Sequence, residues 1–212
     1  MTGPDWLRNL RCVFSETASL SELASPGGSA VLIPLVEGEK GPEILFEVRA
    51  AGLRHQPGEV CFPGGKIEKG EGAREAAARE TCEELCLERS GIEILGLVME
   101  TVNPSMAPAF VYLGFLRDYD PGKNPSRDEV DHVFRVPLRW FMENHPVHYS
   151  VSLRQIPERD FPYDLIPGGK NYRWREKKMD IPFYEGTDPL IWGMTARITD
   201  RFIQIVKAAG IM

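Results

Sequence analysis

The stretch that decides the fold runs from residue 65 to residue 87 and reads GKIEKGEGAREAAARETCEELCL. Its opening part carries Gly65, Gly70 and Gly72, which is typical of a loop whose backbone takes tight conformations. From Ala73 onward the residues are mostly good helix formers. The sequence therefore predicts a glycine-rich loop followed by a helix over residues 73–85.

Three glutamates share one face of this predicted helix. At about 100° per residue, Glu80, Glu83 and Glu84 fall within a single arc of about 100°. Glu80 and Glu84 are like charges one turn apart, and no basic residue follows within a turn to offset them. Two interpretations are open: a solvated acidic surface, or carboxylates that bind a cation such as Mg²⁺. Small side chains on the same side would leave room for a metal and a phosphate chain: Ala73, Ala76 and Ala77.

The spacing of the charged residues is specific. Gly65 is followed after five residues by Glu71, and after seven more by Arg79-Glu80-Thr81-Cys82-Glu83-Glu84-Leu85-Cys86-Leu87. This pattern resembles the Nudix box. The resemblance implies an α/β protein with the Nudix fold, an α-β-α sandwich around a central mixed β-sheet. Two positions depart from the box: Thr81 replaces an aliphatic residue, and Cys86 replaces the glycine that eases the helix exit.

The resemblance also implies roles for individual residues, in a hydrolase that uses Mg²⁺ or Mn²⁺. The expected metal ligands are Gly65, through its carbonyl, and Glu80, Glu83 and Glu84. Either Glu83 or Glu84 would also help to deprotonate a water. Arg79 would pair with Glu71 and hold the loop against the helix. Glu129 is a further candidate base or ligand, with an ordinary surface glutamate as the alternative, so the catalytic candidates are Glu83, Glu84, Arg79 and Glu129.

The residues before the box indicate a substrate. Leu45, Ala50, Arg54, Gly58 and the Phe-Pro-Gly-Gly run at residues 62–65 are similar to an additional signature of the coenzyme A pyrophosphatase subfamily. The tail at residues 189–197 resembles the closing helix of that subfamily. The resemblance implies hydrolysis of coenzyme A or acyl-coenzyme A to 4′-phosphopantetheine, or its acyl form, and adenosine 3′,5′-bisphosphate. The candidate substrate-binding residues are Arg54, Arg49, Gly58, Phe62 and Lys66.

Several alternatives remain open at this point. Glu47 stands where the signature has threonine, and Glu47 and Arg49 indicate either altered specificity or a salt bridge between strands. Arg54 either contacts phosphate or pairs with Glu59 or the acidic helix. The substrate could instead be ADP-ribose, a dinucleotide or an oxidised nucleotide. A third hypothesis is a Nudix fold that binds nucleotides without catalysis.

The rest of the pattern predicts one domain over residues 1–212, with an N-terminal helical extension at residues 1–25. Apolar, β-branched runs predict a hairpin of strands at 29–36 and 42–48, and further strands at 92–102 and 109–116. Residues 133–143 predict a strand and a short helix. Apolar residues at helical spacing predict a closing helix over 190–209. Aromatic residues between 145 and 189 suit an adenine or pantetheine pocket, core packing or a subunit interface.

Composition narrows the class of protein. A net charge of −6 argues against general nucleic-acid binding, because phosphate contacts need concentrated basic residues. No apolar run reaches the ~18–20 residues that span a bilayer, and the first residues lack a signal-peptide layout. We therefore expect a cytoplasmic protein that binds a small nucleoside diphosphate substrate, without a nucleic-acid or membrane partner; a homodimer is left open. The four cysteines lack zinc-site spacing and are expected to be small buried side chains.

Overall fold

The computed structural model describes residues 4–15, 28–103 and 106–211, without the side chains of residues 102–107. Of the expected N-terminal extension at residues 1–25, the structure contains one helix, and the expectation for residues 16–25 lies outside the described residues. The helices are α1 (Asp5–Phe14), α2 (Ala73–Leu85), α3 (Leu138–Glu143) and α4 (Gly193–Ala208). The strands are β1 (Ser29–Gly38), β2 (Gly41–Arg49), β3 (Val60–Cys61), β4 (Gly64–Lys66), β5 (Ile92–Asn103), β6 (Met106–Leu116), β7 (Val130–Pro137), β8 (Val147–Leu153), β9 (Lys177–Tyr184) and β10 (Ile191–Trp192).

A seven-stranded mixed sheet forms the centre of the fold. Its main order is β3-β2-β1-β6-β5, with β4 also paired to β1 and β7 to β2. β1 and β2 form the predicted antiparallel hairpin, in which Leu35 lies opposite Ile44. β1 runs parallel to β6, with Val31 opposite Val111, and this pair makes the sheet mixed. The predicted hairpin and central mixed sheet are confirmed.

Helices cover both faces of this sheet. On one face, α2 packs its alanines against apolar side chains of the sheet, including Leu32, Leu45 and Tyr112. On the other face lie the buried residues of α1, α3 and α4, among them Leu10, Phe141 and Phe202. The burial of large apolar side chains on both faces is the main stabilising contribution to such a layered fold. The layers are those of the predicted α-β-α sandwich.

An ion-pair cluster fastens α1 to the edge of the sheet. The guanidinium of Arg11 donates to both oxygens of Glu93, at 2.7 and 2.8 Å, and Arg117 donates to the second oxygen at 2.6 Å. The hydrogen bond from Arg11, followed by that from Arg117, lowers the pKa of Glu93 to about 2. Glu93 lies on β5, so the cluster ties the first helix to the edge strand of the main sheet.

A second, three-stranded sheet in the order β10-β9-β8 was not expected from the sequence. Val147 lies opposite Phe183, and Tyr184 opposite Ile191. Every residue of β8 is exposed, so its sequence lacks the buried alternation that marks a half-buried strand. Ile191, expected as part of the closing helix, belongs to β10 instead, because the helix begins only at Gly193.

The described part of the chain also tests two expectations from composition. All four cysteines are free, but they are not buried: Cys12 and Cys86 are exposed, and Cys61 and Cys82 are half-buried. The prediction of buried cysteines is therefore wrong, because two of them lie on outward-facing helix or turn positions. No helix in the described ranges is both long and apolar enough to cross a membrane.

Candidate functional site

The acidic helix α2 has the predicted bounds and an unusual end. Its last residue is followed by Cys86 in the left-handed conformation, with φ 53° and ψ 42°. The backbone N–H of Leu87 donates to the carbonyl of Cys82 at 3.0 Å, which closes the helix terminus. Glycine is favoured here because it takes this conformation without steric penalty. Cys86 follows the path that a glycine would take, so the departure from the box does not alter the backbone.

Gly64 and Gly65 lie so close to neighbouring atoms that neither position has room for a Cβ. A Cβ on Gly64 would lie 2.4 Å from the backbone oxygen of Ala30. A Cβ on Gly65 would lie 2.3 Å from a carboxylate oxygen of Glu80. A side chain at either position would therefore displace the sheet or the acidic face. The absence of side chains brings β4 directly against α2.

Glu84 is the buried member of the acidic face. Its side chain accepts a hydrogen bond from the backbone N–H of Gly64 at 2.8 Å. Burial raises its pKa to about 8, and the negative charges of Glu80 and Glu129 add to this effect. The hydrogen bond from Gly64 offsets only part of the rise. A carboxylate in this setting is costly to ionise unless positive charge comes close.

Glu80 and Glu83 differ from Glu84 in exposure and partners. Glu80 is half-buried, and burial raises its pKa despite an ion pair with Arg79 at 3.0 Å. Glu83 is exposed and accepts a hydrogen bond from Arg79 at 3.2 Å. The three predicted ligands thus lie on one helix face with graded burial.

Arg79 joins the loop to the helix as the sequence predicts. Its guanidinium donates to both oxygens of Glu71, at 2.9 and 3.0 Å, and to the carbonyl of Lys66 at 3.1 Å. These contacts lower the pKa of Glu71 and raise that of Arg79. Because Arg79 also reaches Glu80 and Glu83, one side chain fixes both the loop and two of the carboxylates.

Glu129 comes close to the acidic face from the segment before β7. The backbone N–H of Ser126 donates to the carbonyl of Glu84 at 2.8 Å, and the carbonyl of Glu129 accepts from Ala50 at 2.9 Å. These bonds tie the segment to the end of α2 and to the end of β2. The Glu129 carboxylate is exposed, and its charge raises the pKa of Glu80 and Glu84. The structure places this candidate beside the predicted ligands.

The alanines of α2 do not play the expected part. Ala76 and Ala77 are fully buried and Ala73 is nearly so, packed against the sheet. The prediction that they leave room for a metal and a phosphate chain is therefore wrong. Their small size serves close packing of helix against sheet, and the open space lies beyond Gly65 instead.

That space is a cavity of about 470 Å³ beside β4. Its polar lining includes the side chains of Arg49, Gln56 and Glu59, and Gly64 and Gly65 also line it. Its apolar wall includes Phe62 from the segment before β4, Trp192 from β10, and Met194 and Ile198 from the start of α4. The hydroxyl of Thr195 donates to the carbonyl of Val60 at 2.9 Å and holds this end of α4 against β3. The sequence did not single out the side chains from α4, although the tail was recognised as family-like.

The predicted substrate-binding residues divide into two groups. Arg49 and Phe62 line the cavity. Arg54, Gly58 and Lys66 are exposed and do not line it. Gly58 shapes the loop at φ 74° and donates its N–H to the carbonyl of Arg49 at 3.0 Å. Within the described ranges Arg54 has no hydrogen bond or ion pair, so the alternative in which it pairs with Glu59 or the acidic helix is wrong.

The aromatic candidates lie elsewhere. Tyr184 is buried in the core against Phe141, and Tyr149 and Phe183 pack on each other in the second sheet. A separate cluster contains Phe161, Tyr163, Tyr172 and Trp174. None of these side chains lines the cavity beside β4. Their placement favours the packing interpretation over a nucleotide pocket.

The donor set suits a divalent cation by its chemistry. Among the described residues, no three His, Cys, Asp or Glu side chains converge as a preformed metal site, since Arg79 draws Glu80 and Glu83 toward itself. Burial nevertheless raises the pKa values of Glu80 and Glu84, and the negative charge of Glu129 adds to the rise in both. Hard oxygen ligands with surplus negative charge are what Mg²⁺ and Mn²⁺ prefer.

Comparison with known proteins agrees with this geometry. The NUDIX domain pattern matches residues 27–155. The chain is 30% identical over 204 residues to the mitochondrial coenzyme A diphosphatase NUDT8 of Homo sapiens, covering 94% of this chain and 77% of that protein. It is 37% identical over 134 residues to the peroxisomal coenzyme A diphosphatase NUDT7 of Mus musculus, covering 62% of this chain and 55% of that protein.

Among solved structures, a MutT/nudix family protein from Enterococcus faecalis matches with a TM-score of 0.48 and 14% identity, over 98% of this chain and 76% of that one. The chain spans about half the length of NUDT7 and about three quarters of NUDT8. The domain match covers the glycine loop, the acidic helix and the central sheet. On these grounds the chain belongs to the Nudix family, and it is a pyrophosphohydrolase.

Proposed function

We propose that the protein hydrolyses the diphosphate bond of coenzyme A or an acyl-coenzyme A. The products would be 4′-phosphopantetheine, or its acyl form, and adenosine 3′,5′-bisphosphate. The observation that carries the proposal is the cavity beside Gly65, which joins the glycine loop and Arg49 to an apolar wall. A diphosphate attached to a long, partly apolar arm suits such a two-sided cavity. Two relatives bear the name coenzyme A diphosphatase, which supports the same substrate.

Nudix hydrolases in general use divalent metal ions and act on small nucleoside diphosphate substrates. In this chain we propose Mg²⁺ or Mn²⁺, held by Glu80, Glu83, Glu84 and the carbonyl of Gly65. When bound, the ions would supply charge neutralisation at the diphosphate and acidify a water. Arg79 would hold the glycine loop against α2 through its two hydrogen bonds to Glu71.

The proton of the attacking water needs an acceptor in this site. Glu84 is one candidate, because its carboxylate lies on the acidic face of α2 and is held beside Gly64 by a hydrogen bond. Glu83 and Glu129 are the other candidates, and both are exposed beside it. The water oxygen would form a bond to phosphorus, the bridging P–O bond would break, and the leaving phosphate would keep the bond's electrons.

The substrate would lie across the cavity. Arg49 is the cation best placed for the diphosphate, since guanidinium groups suit phosphate oxygens. Phe62, Trp192 and Met194 would contact the pantetheine arm. Gly58 would act through the loop that follows β2, which its N–H ties back to the carbonyl of Arg49. Lys66 and Arg54 would contact only parts of the substrate outside the cavity.

A second candidate follows from the position of Arg54. Coenzyme A carries a 3′-phosphate beyond its diphosphate, and Arg54 does not line the cavity, so it does not supply a positive charge for that phosphate there. That observation favours a nucleoside diphosphate derivative without a 3′-phosphate, such as ADP-ribose or a dinucleotide. The two candidates share the metal-binding residues and differ only in substrate recognition.

One substrate panel distinguishes them. The protein is incubated with coenzyme A, acetyl-coenzyme A, dephospho-coenzyme A, ADP-ribose and a diadenosine polyphosphate, each with Mg²⁺ or Mn²⁺, and products are identified by mass. We expect a higher kcat/KM for coenzyme A or its acyl form than for ADP-ribose. Equal or higher turnover of ADP-ribose would contradict the proposal and favour the second candidate. Binding of coenzyme A without turnover would support a nucleotide-binding module.

The cellular setting stays a prediction. The relatives' names place them in mitochondria and peroxisomes, whereas we expect a cytoplasmic protein here. We further propose that residues 1–212 form a single domain, without a nucleic-acid or membrane partner. A homodimer remains one possible assembly. Light scattering and fractionation of tagged protein measure these properties directly.

A further inference from the structure

Glu47 points toward the acidic helix from the central sheet. Side chains alternate along a strand, so Leu45 and Glu47 project to one face of β2 and Phe46 to the other. Leu45 packs in the core that contains the buried alanines of α2, and Phe46 packs in the opposite core. The carboxylate of Glu47 therefore lies on the face of the sheet that α2 covers.

The neighbours of Glu47 lead to the candidate site. Glu47 pairs across the strands with Cys61, whose thiol contacts Oε2 of Glu47 at 4.0 Å. Cys61 lines the cavity beside β4. Three residues further along the chain, the N–H of Gly64 holds Glu84. Glu47, from the sheet, and Glu84, from the helix, thus both contact the segment from Cys61 to Gly64.

The burial of Glu47 is not balanced by partners in the described chain. The residue is only 1% exposed, and its Oε1 atom has no hydrogen-bond partner among the described residues. Within its described ranges the structure has no ion pair between Glu47 and Arg49, so the alternative of a salt bridge between strands is wrong. Burial raises the pKa of Glu47 well above its usual range, and the charge of Glu84 raises it further.

A purely structural acid would have both oxygens satisfied. A buried polar atom without a partner costs roughly 1–3 kcal/mol, and such atoms are rare in folded proteins. The weak contact with Cys61 leaves Oε1 unsatisfied, and burial holds the Cys61 pKa at about 12, so this residue remains a neutral thiol. An approaching cation, or a water bound to it, would satisfy the free oxygen.

We propose that Glu47 is an additional carboxylate of the metal site, which strengthens cation binding from the sheet side opposite the α2 glutamates. The inference rests on the proposed metal site, but it is independent of which diphosphate is the substrate. The free Oε1 atom would take either the cation or a water bound to it. In this way the departure from the subfamily signature at this position would tune the metal site.

The test measures Mn²⁺ binding without substrate. Purified wild-type protein and Glu47→Gln are titrated with Mn²⁺, free Mn²⁺ is followed by electron paramagnetic resonance, and thermal unfolding is recorded without metal. Glutamine preserves the shape of the side chain and removes its charge. We expect at least about a ten-fold weaker Kd for Mn²⁺, the usual effect of losing a supporting carboxylate. The Tm without metal should be unchanged or higher, because the buried acid is gone.

Glu43→Gln is the matched control. Glu43 lies on the same face of β2 and pairs with Arg135 at 3.1 Å, away from the cavity. Its Kd for Mn²⁺ should equal that of the wild type. Wild-type affinity in Glu47→Gln would overturn the inference while leaving the metal site intact. If the wild-type protein itself binds no Mn²⁺, both the metal site and the inference fail. A lower Tm with unchanged Kd would assign Glu47 a structural role and also overturn the inference.

Discussion

Substituting alanine for Gly65 tests whether the glycine loop exists to admit the Glu80 carboxylate. The new Cβ would lie 2.3 Å from Oε1 of Glu80, so this carboxylate must move by about 1 Å to reach ordinary contact at 3.4 Å. The obstacle is the end of a flexible side chain, and Gly65 has no positive φ, so the fold itself can accommodate alanine. The strain therefore falls on the site and not on the core.

The size of the effect follows from this displacement. A 1 Å misplacement of a catalytic group costs about 100-fold in rate, or about 2.7 kcal/mol of transition-state stabilisation. We expect Gly65→Ala to lower kcat/KM for the preferred diphosphate substrate by about that factor. The free energy of unfolding should change by less than about 1 kcal/mol. Steady-state kinetics and urea denaturation measure the two quantities.

The adjacent glycine supplies the contrast. In Gly64→Ala the Cβ would lie 2.4 Å from the carbonyl oxygen of Ala30, a backbone atom that cannot yield without disturbing the pairing of β1 and β4. This variant should lose about 2 kcal/mol or more of stability, as overpacked sites do. Combining Gly65→Ala with Glu80→Gln should cost no more activity than Glu80→Gln alone, since both act through one carboxylate. Additive losses, or full activity in Gly65→Ala, would refute the reasoning.

Three further predictions concern the frame around the site. Cys86→Gly should stabilise the protein by about 1 kcal/mol in urea denaturation, because glycine relieves the left-handed conformation; no gain would mean that the turn is unstrained. Arg79→Lys should lower kcat/KM about ten-fold, since lysine cannot donate to both oxygens of Glu71; unchanged kinetics would contradict this. Glu93→Gln should lower the free energy of unfolding by about 1–2 kcal/mol at pH 7, after allowance for solvent screening. The pKa of Glu93 is lowered in the folded state, so the difference in unfolding free energy between the wild type and Glu93→Gln is fully present above about pH 5 and shrinks as the pH falls toward 2. A difference that stays constant with pH would refute this prediction.

The acidic helix was predictable because its signals are local. Gly72 precedes a run of helix formers that ends at Leu85, and the structure has the same bounds. The hairpin of β1 and β2 was predictable for the same reason, as two apolar runs flank a short polar loop. The resemblance to the Nudix box also gave the pairing of Arg79 with Glu71, which the structure contains.

Contacts between distant segments were not predictable. The hydroxyl of Thr195 donates to the carbonyl of Val60, which is 135 residues away in the sequence, and no local sequence pattern predicts that bond. For the same reason the sequence does not predict that Trp192 and Met194 line the cavity. The exposed strand β8 pairs with β9 across a long loop and lacks a buried face. The alanines of α2 were misread because helical spacing shows a shared side but not what covers it.

The cavity wall and the acidic helix come from different parts of the sequence, and the hydrogen bond from Thr195 to Val60 holds the C-terminal part of this wall against β3. The acidic helix α2 lies inside the matched domain at residues 27–155, whereas Trp192, Met194 and Ile198 of the cavity wall lie beyond it. Changes in this C-terminal wall can reshape the cavity while the glycine loop and glutamates keep their geometry. Selection or engineering for a new cavity shape therefore has a region in which to act that leaves the glycine loop and the acidic helix in place.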